Sequence, residues 1–343
     1  LHKEYRRQRQ MCIRDRFLGI PIGNKMNQWG RKNTVLLSMA ITIVGMFLPL
    51  FSYNSMTSVT AYALLGIGNA ILQVSLNPLL NNVIRSGNML TSSLTAGQVV
   101  KAISSLLGPE IVLFTVSRFS EDKWYYCFPI LGAITLLSAV WLMFTPIPRE
   151  DRIEDRISVK DTFSLLSNKM ILLLFLGIFF IVGVDVATNY ISSKLMTIRF
   201  GWTEAQVKFA PQVYFLCRTI GALLGAFMLA KVDEIKYFKV NIVACGVSLL
   251  LLIFIVSDVM DLVLIGAVGF FASSVFPIIY SVALKKRPDK ANQISGLLIT
   301  AIAGGGIVTP AIGFSIANIG ITAGVFIVFL CVAYLTYCAF TIK

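Results

Sequence analysis

Residues 58–85 read SVTAYALLGIGNAILQVSLNPLLNNVIR, with no charge from Ser58 to Ile84 and then Arg85. At about 1.5 Å of rise per residue, such a run is long enough to cross a hydrocarbon layer of roughly 30 Å as a helix. A single strand in lipid would leave its backbone groups unpaired, and a barrel strand would alternate polar and apolar residues, which this run does not do. Similar apolar segments stand at 17–26, 34–54, 91–117, 125–145, 169–198, 206–230, 238–257, 259–284, 291–317 and 320–341. The reading is an all-α polytopic membrane protein with about eleven spans, the first of them only half a span.

Composition supports this and removes several alternatives. Of 343 residues, 56% are hydrophobic and 14% charged, with mean hydropathy +0.78; a soluble domain carries roughly 25% charged residues. An ordinary cytosolic enzyme is excluded, and the loops are too short for a sizeable soluble domain. The net charge of +13 is no nucleic-acid footprint, because the basic residues sit in short runs between spans. One alternate set of loops holds Lys25, Arg31, Lys32, Arg85, Arg149, Arg152, Arg156, Lys160, Lys169, Lys231, Lys236, Lys239, Lys285, Lys286, Arg287 and Lys290. The other holds Arg118, Lys123, Arg199 and Lys208, so the first set is assigned to the cytoplasm. Cys12, Cys127, Cys217, Cys245, Cys331 and Cys338 show no paired spacing and read as free thiols. His2 is the one histidine, which argues against metal clusters and histidine triads. Walker, HExxH and GxSxG patterns are missing, so no cofactor, no metal and no catalytic residue is expected.

The spans fall into two halves that repeat. Pro78 and Pro277 are 277 − 78 = 199 apart, and Pro109 and Pro310 are 310 − 109 = 201 apart, each pair at matching places in its span. A steady offset of this kind is the weak internal symmetry of transporters built from two parallel halves. The expected organisation is a transmembrane half over 17–145, a charged cytoplasmic linker over 146–168 and a second transmembrane half over 169–343. Residues 1–16, LHKEYRRQRQMCIRDR, carry six Lys or Arg and cannot cross hydrocarbon. They read as a non-native or disordered segment. Subtracting the offset from the span at 169–198 puts its counterpart before residue 1. The sequence therefore predicts a missing first helix and an incomplete second.

Gly23–Asn33, GNKMNQWGRKN, resembles the loop between the second and third helices of the major facilitator superfamily, G-x-x-x-D-x-x-G-R-K, with Asn27 in place of the aspartate. GIGNAILQVSLNPLL (Gly66–Leu80), SLTAGQVVKAISSLLGP (Ser93–Pro109), FFIVGVDVATNY (Phe179–Tyr190) and AGGGIVTPAIGF (Ala303–Phe314) resemble the fucose:proton symporter family within it. The resemblance runs from about Phe17 to Lys343. It implies twelve helices, alternating access and sugar uptake across a bacterial inner membrane; the reading taken is symport of a fucose-like or glucose/galactose-like sugar with a proton, or with another cation, by a monomer. At the position of that family's proton-linked glutamate this chain has Gln73, and the partner aspartate would lie on the missing helix.

Candidate binding residues follow from polar groups inside apolar spans. Asn69, Gln73 and Asn77 recur at i, i+4 and i+8, an uncharged stripe of donors and acceptors suited to sugar hydroxyls, or else glue between helices. Gln98, Lys101, Ser105 and Gly108 share a face of the next span, and Lys101 lies too deep to snorkel. Asp185, on a face with Thr188, Asn189 and Ser192, and Arg218 in the following span are assigned to proton coupling or gating, with mutual pairing the structural alternative. Asn189 joins the sugar-binding candidates. Phe276 and Tyr280 could wall a sugar ring, against the plainer reading of packing. Gly304, Gly305 and Gly306 read as close packing or a hinge, and Glu110 and Lys194 as interfacial charges.

The function these readings favour is a secondary active sugar transporter. An efflux transporter for amphipathic compounds is the alternative, less suited to the amide stripe. A sugar sensor, or a membrane enzyme acting on lipid-linked sugars, is more distant; Glu121 and Asp122 on an outer loop are the only acids placed for the latter.

Overall fold

A computed structural model describes residues 19–52, 54–84, 87–147 and 159–342. The segment at 1–16, with His2 and Cys12, and much of the linker lie outside the described residues, as do the side chains of Ser105, Pro109, Glu121 and Asp122. Among the described residues the fold is carried by thirteen longer helices: α1 Gly19–Trp29, α2 Arg31–Phe51, α3 Ser55–Val83, α4 Gly87–Phe119, α5 Cys127–Phe144, α6 Lys169–Phe200, α7 Phe209–Leu229, α8 Glu234–Phe254, α9 Asp258–Ala272, α10 Val275–Lys286, α11 Ala291–Ala301, α12 Gly304–Asn318 and α13 Ile321–Thr341. No strand occurs among the described residues. Nine stretches among them are long and apolar enough to cross a membrane. α1 is too short at 11 residues. α4 is not among the nine although it has 33 residues; it carries Lys101, Glu110 and Arg118.

Local chemistry sets the ends. Asn168 caps α6 by accepting from the backbone N–H groups of Met170 and Ile171, and Gly201, at φ 65°, closes it in the left-handed conformation. Asp233 caps α8 through the N–H of Lys236. The span at 258–286 is broken at Ser273–Ser274, because Pro277 has no N–H to donate to the carbonyl of Ser273. The span at 288–318 breaks just before Gly304, where Gly305 and Gly306 make tight bonds to the carbonyls of Ile302 and Ala303. The element bounds repeat: α3 and the pair α9–α10 differ by 258 − 55 = 203 at their starts and 286 − 83 = 203 at their ends.

The chain forms two compact units. The first takes the chain through Val83, Val100–Phe163 and Asp289–Thr300; the second takes Ile84–Val99, Ser164–Pro288 and Ala301–Lys343. In the first, α2 packs against α1, α3 and α5. α11 joins it through backbone contact, since a Cβ on Gly296 would lie 2.5 Å from the carbonyl oxygen of Gly19. Asn292 donates to Asn27 Oδ1 at 2.6 Å and accepts from Arg31 Nε at 2.8 Å.

In the second unit α6 is central, touching α7, α9, α10, α12 and α13. α12 meets it backbone to backbone: a Cβ on Gly304 would stand 2.0 Å from the carbonyl oxygen of Phe179. Gly304→Val is therefore expected to abolish the folded species on size-exclusion chromatography, whereas Ile307→Val, at an exposed site on the same helix, is not. Cys127, Cys217, Cys245, Cys331 and Cys338 are free thiols.

Two polar clusters brace the second unit. Arg199 reaches the carbonyls of Leu252 and Ile255 at 2.9 and 3.3 Å and Asp261 Oδ2 at 2.9 Å, tying the end of α8 to the start of α9. Asp261 is fully buried. Arg199→Leu strands that carboxylate and is expected to cost about 3–5 kcal/mol of stability. Adding Asp261→Asn should recover much of the loss in thermal unfolding. In the other cluster Lys285 Nζ lies 2.7 Å from Glu234 Oε1, and the Thr91 hydroxyl donates to the same carboxylate and lies 2.7 Å from Ser281 Oγ.

Candidate substrate-binding site

The amide stripe forms on α3 in the first unit. The uninterrupted helix, with Pro78 accommodated inside it, holds the i, i+4 spacing on one face. Gln73 Nε2 donates to Asn69 Oδ1 at 3.2 Å, and Asn77 Nδ2 approaches the Gln73 carbonyl at 3.5 Å. Asn69 is exposed and Gln73 and Asn77 are half-buried, while Val74, Ser75 and Pro78 are buried on other sides of the helix. Hydrogen-bonding capacity is thus left over: an amide has two donor hydrogens and an oxygen with two lone pairs. Lys101 is exposed on α4, in the first unit, and Gln98 is half-buried on the same helix but in the second.

In the second unit the structure brings Asp185 on α6 to Arg218 on α7, with Arg218 Nε 2.8 Å from Asp185 Oδ1. Tyr214, one turn before Arg218, donates its hydroxyl to the same Oδ1 at 2.6 Å. Its ring is fully buried. Close approach of α9 holds it there: a Cβ on Gly269 would lie 2.6 Å from the Tyr214 carbonyl oxygen and 2.9 Å from its ring. Asp185 and Arg218 keep 29% and 27% of their side chains exposed, so the pair is only partly withdrawn from its surroundings. Tyr214 was not singled out from the sequence, although its i, i+4 spacing to Arg218 was the available signal.

The other candidates divide. Asn189, one turn beyond Asp185, is half-buried, whereas Thr188 and Ser192 are buried; the Ser192 hydroxyl donates to the Asn189 carbonyl and is spent on backbone. Tyr280 is fully buried, and its ring meets that of Phe276 at a centroid distance of 5.8 Å. Glu110 and Lys194 are exposed. An open groove of about 330 Å³ lined by Gln28, Trp29, Asn33 and Leu37 includes none of the candidate residues. Its Trp and Leu at a helix junction suit a bilayer interface better than a polar ligand. Among the described residues no group of His, Cys, Asp and Glu could hold a metal ion.

The sequence profile of the Major Facilitator Superfamily matches residues 17–310. A glucose/galactose transporter of Brucella abortus is 25% identical over 340 residues, covering 93% of this chain and 80% of the relative. Among solved structures, the E. coli fucose:proton symporter FucP superposes with a TM-score of 0.85 at 19% identity, over 98% of this chain and 91% of that one. The proton:xylose symporter XylE superposes with a TM-score of 0.71 at 13% identity, over 97% of this chain and 84% of the other.

Proposed function

The chain belongs to the Major Facilitator Superfamily, a family of multi-pass membrane transporters and not of enzymes, and from that premise we propose that it carries a monosaccharide across the membrane by alternating access. The observation that carries this reading is the uncharged stripe Asn69, Gln73 and Asn77, which is left open along α3. Sugar hydroxyls each donate and accept, and amides answer both without the desolvation cost of a charge. Lys101 is a further polar candidate in the same unit; in the second unit the candidates are Gln98 and Asn189, with Phe276 as an aromatic edge. The relatives and solved structures named above, which carry glucose, galactose, fucose or xylose by their names, support the same substrate class.

The finer reading is proton-coupled symport at a bacterial inner membrane by a monomer with two transmembrane halves, at 17–145 and 169–343. Gln73 cannot exchange a proton, so Asp185 with Arg218 is the pair proposed to couple sugar to proton movement. A partly exposed carboxylate paired with a cation has the parts such a step requires, provided the pair separates in one access state.

Equilibrium binding of D-glucose, D-galactose and L-fucose to the purified protein, against an amphipathic organic cation, tests the reading. Saturable sugar binding with no cation binding supports it. The opposite pattern would identify an efflux protein for amphipathic compounds. Lys101→Gln, which keeps length and hydrogen bonding but loses charge, is expected to weaken sugar binding more than it lowers thermal stability. Unchanged affinity with a large stability loss would assign Lys101 to structure.

A further inference from the structure

Where the start of α8 meets the end of α13, the second unit carries positive charge beside bare apolar surface. The two helices pack together, and Lys239 Nζ of α8 stands over the ring of Phe340 of α13, 5.3 Å from its centre. Lys236, one turn earlier, is exposed, and Lys239 is half-buried. Neither ammonium group makes a hydrogen bond or ion pair among the described residues. The acids of the same turn are engaged: Glu234 pairs with Lys285 at 2.7 Å, and Asp233 accepts from the backbone N–H of Lys236 at 2.9 Å. The two lysines together outweigh Asp233, so this end of α8 keeps a net positive charge.

Beyond the lysines the surface changes character. Val240 and Val243 continue the face of Lys236 at i+4 and i+7, and every exposed residue of α8 from Val240 to Phe254 is apolar. On α13 the exposed residues from Phe326 to Phe340 are likewise apolar or aromatic. Such a face belongs in hydrocarbon, and lysine stems at its edge lift their charges to the level of the lipid headgroups.

We propose that the seam between α8 and α13 binds an anionic phospholipid, with its phosphate on Lys236 and Lys239 and an acyl chain along the exposed valines and Phe340. A free phosphate ion would use the charges and leave the apolar stripe idle. A zwitterionic lipid would use the stripe but bring a cation of its own to two lysines. An anionic lipid uses both. The ring of Phe340 holds Lys239 in place beforehand, so less side-chain freedom is lost on binding than for a lysine free in solvent. This site is separate from the sugar-binding candidates and stands or falls independently of them.

The test is native mass spectrometry of the detergent-solubilised 343-residue protein, titrated with phosphatidylglycerol or with phosphatidylcholine of the same acyl chains. At about fivefold per lysine near an anionic headgroup, phosphatidylglycerol should bind the wild type about tenfold or more tightly than phosphatidylcholine. Combining Lys236→Gln with Lys239→Gln should bring the two lipids to within about twofold of each other. Lys239→Arg, which keeps both the charge and the ring contact, should preserve the preference. Lys25→Gln, at an exposed lysine of the first unit in the same set of loops, should leave it at the wild-type level. Glycerol 3-phosphate should not displace the bound lipid. Equal binding of the two lipids by the wild type, an equal loss of preference in Lys25→Gln, or a preference kept by the double variant overturns the site. Displacement by glycerol 3-phosphate overturns lipid as its occupant.

Discussion

Asp185→Asn is expected to abolish uphill, pH-driven sugar accumulation in proteoliposomes while leaving counterflow at saturating sugar intact. Asparagine preserves the shape of the side chain and can still accept from Tyr214, but it can neither take up nor release a proton and forms no ion pair with Arg218. Counterflow needs only the sugar-loaded carrier to reorient, so it survives a lesion confined to coupling. Loss of both activities in a folded protein would assign Asp185 to binding or to the conformational change. Full retention of uphill transport would remove it from the coupling mechanism.

The second large effect is expected on α3. Gln73→Leu and Asn77→Leu each remove a donor and acceptor where bound hydroxyls would otherwise be desolvated without partners. Each is expected to weaken sugar binding about ten- to a hundredfold, from a cost of about 1–3 kcal/mol per unpaired group. Stability should change little, because neither amide is buried and the bonds between them are long, at 3.2 and 3.5 Å. Equilibrium binding beside thermal unfolding separates the two quantities. Unchanged affinity with lowered stability would make the stripe glue between helices.

The spans were legible because hydrocarbon tolerates so few solutions: a run such as Ser58–Ile84 can only be a helix, and α3 covers it as Ser55–Val83. The repeat was legible from prolines alone, since their effects on a helix are local and position-specific. The same residue type concealed the break at Ser273–Ser274. Pro78 and Pro310 sit inside continuous helices, so Pro277 alone did not announce an interruption.

Within the site, i, i+4 arithmetic was enough to find the amide stripe, which lies on one helix. It also placed Asp185 and Arg218 at comparable depth on successive helices. It did not find Tyr214, whose polar end is a single atom on an aromatic body in a chain rich in such bodies. In the sequence Arg199 reads as a loop charge, and Asp261 carries no signal near a span's end. Their partnership spans 62 residues and exists only once α6, α8 and α9 have converged. Thr91 and Glu234, 143 residues apart, were hidden for the same reason.

The central claim, that this chain moves a neutral monosaccharide through the membrane, is tested most directly by counterflow. Proteoliposomes carrying the purified protein would be loaded with unlabelled D-glucose, D-galactose or L-fucose and diluted into trace labelled sugar with no pH gradient. The account predicts a transient, protein-dependent overshoot of label for at least one of these sugars, suppressed by Gln73→Leu. Label entering no faster than into protein-free vesicles for all three sugars, with the protein folded and inserted, would contradict it.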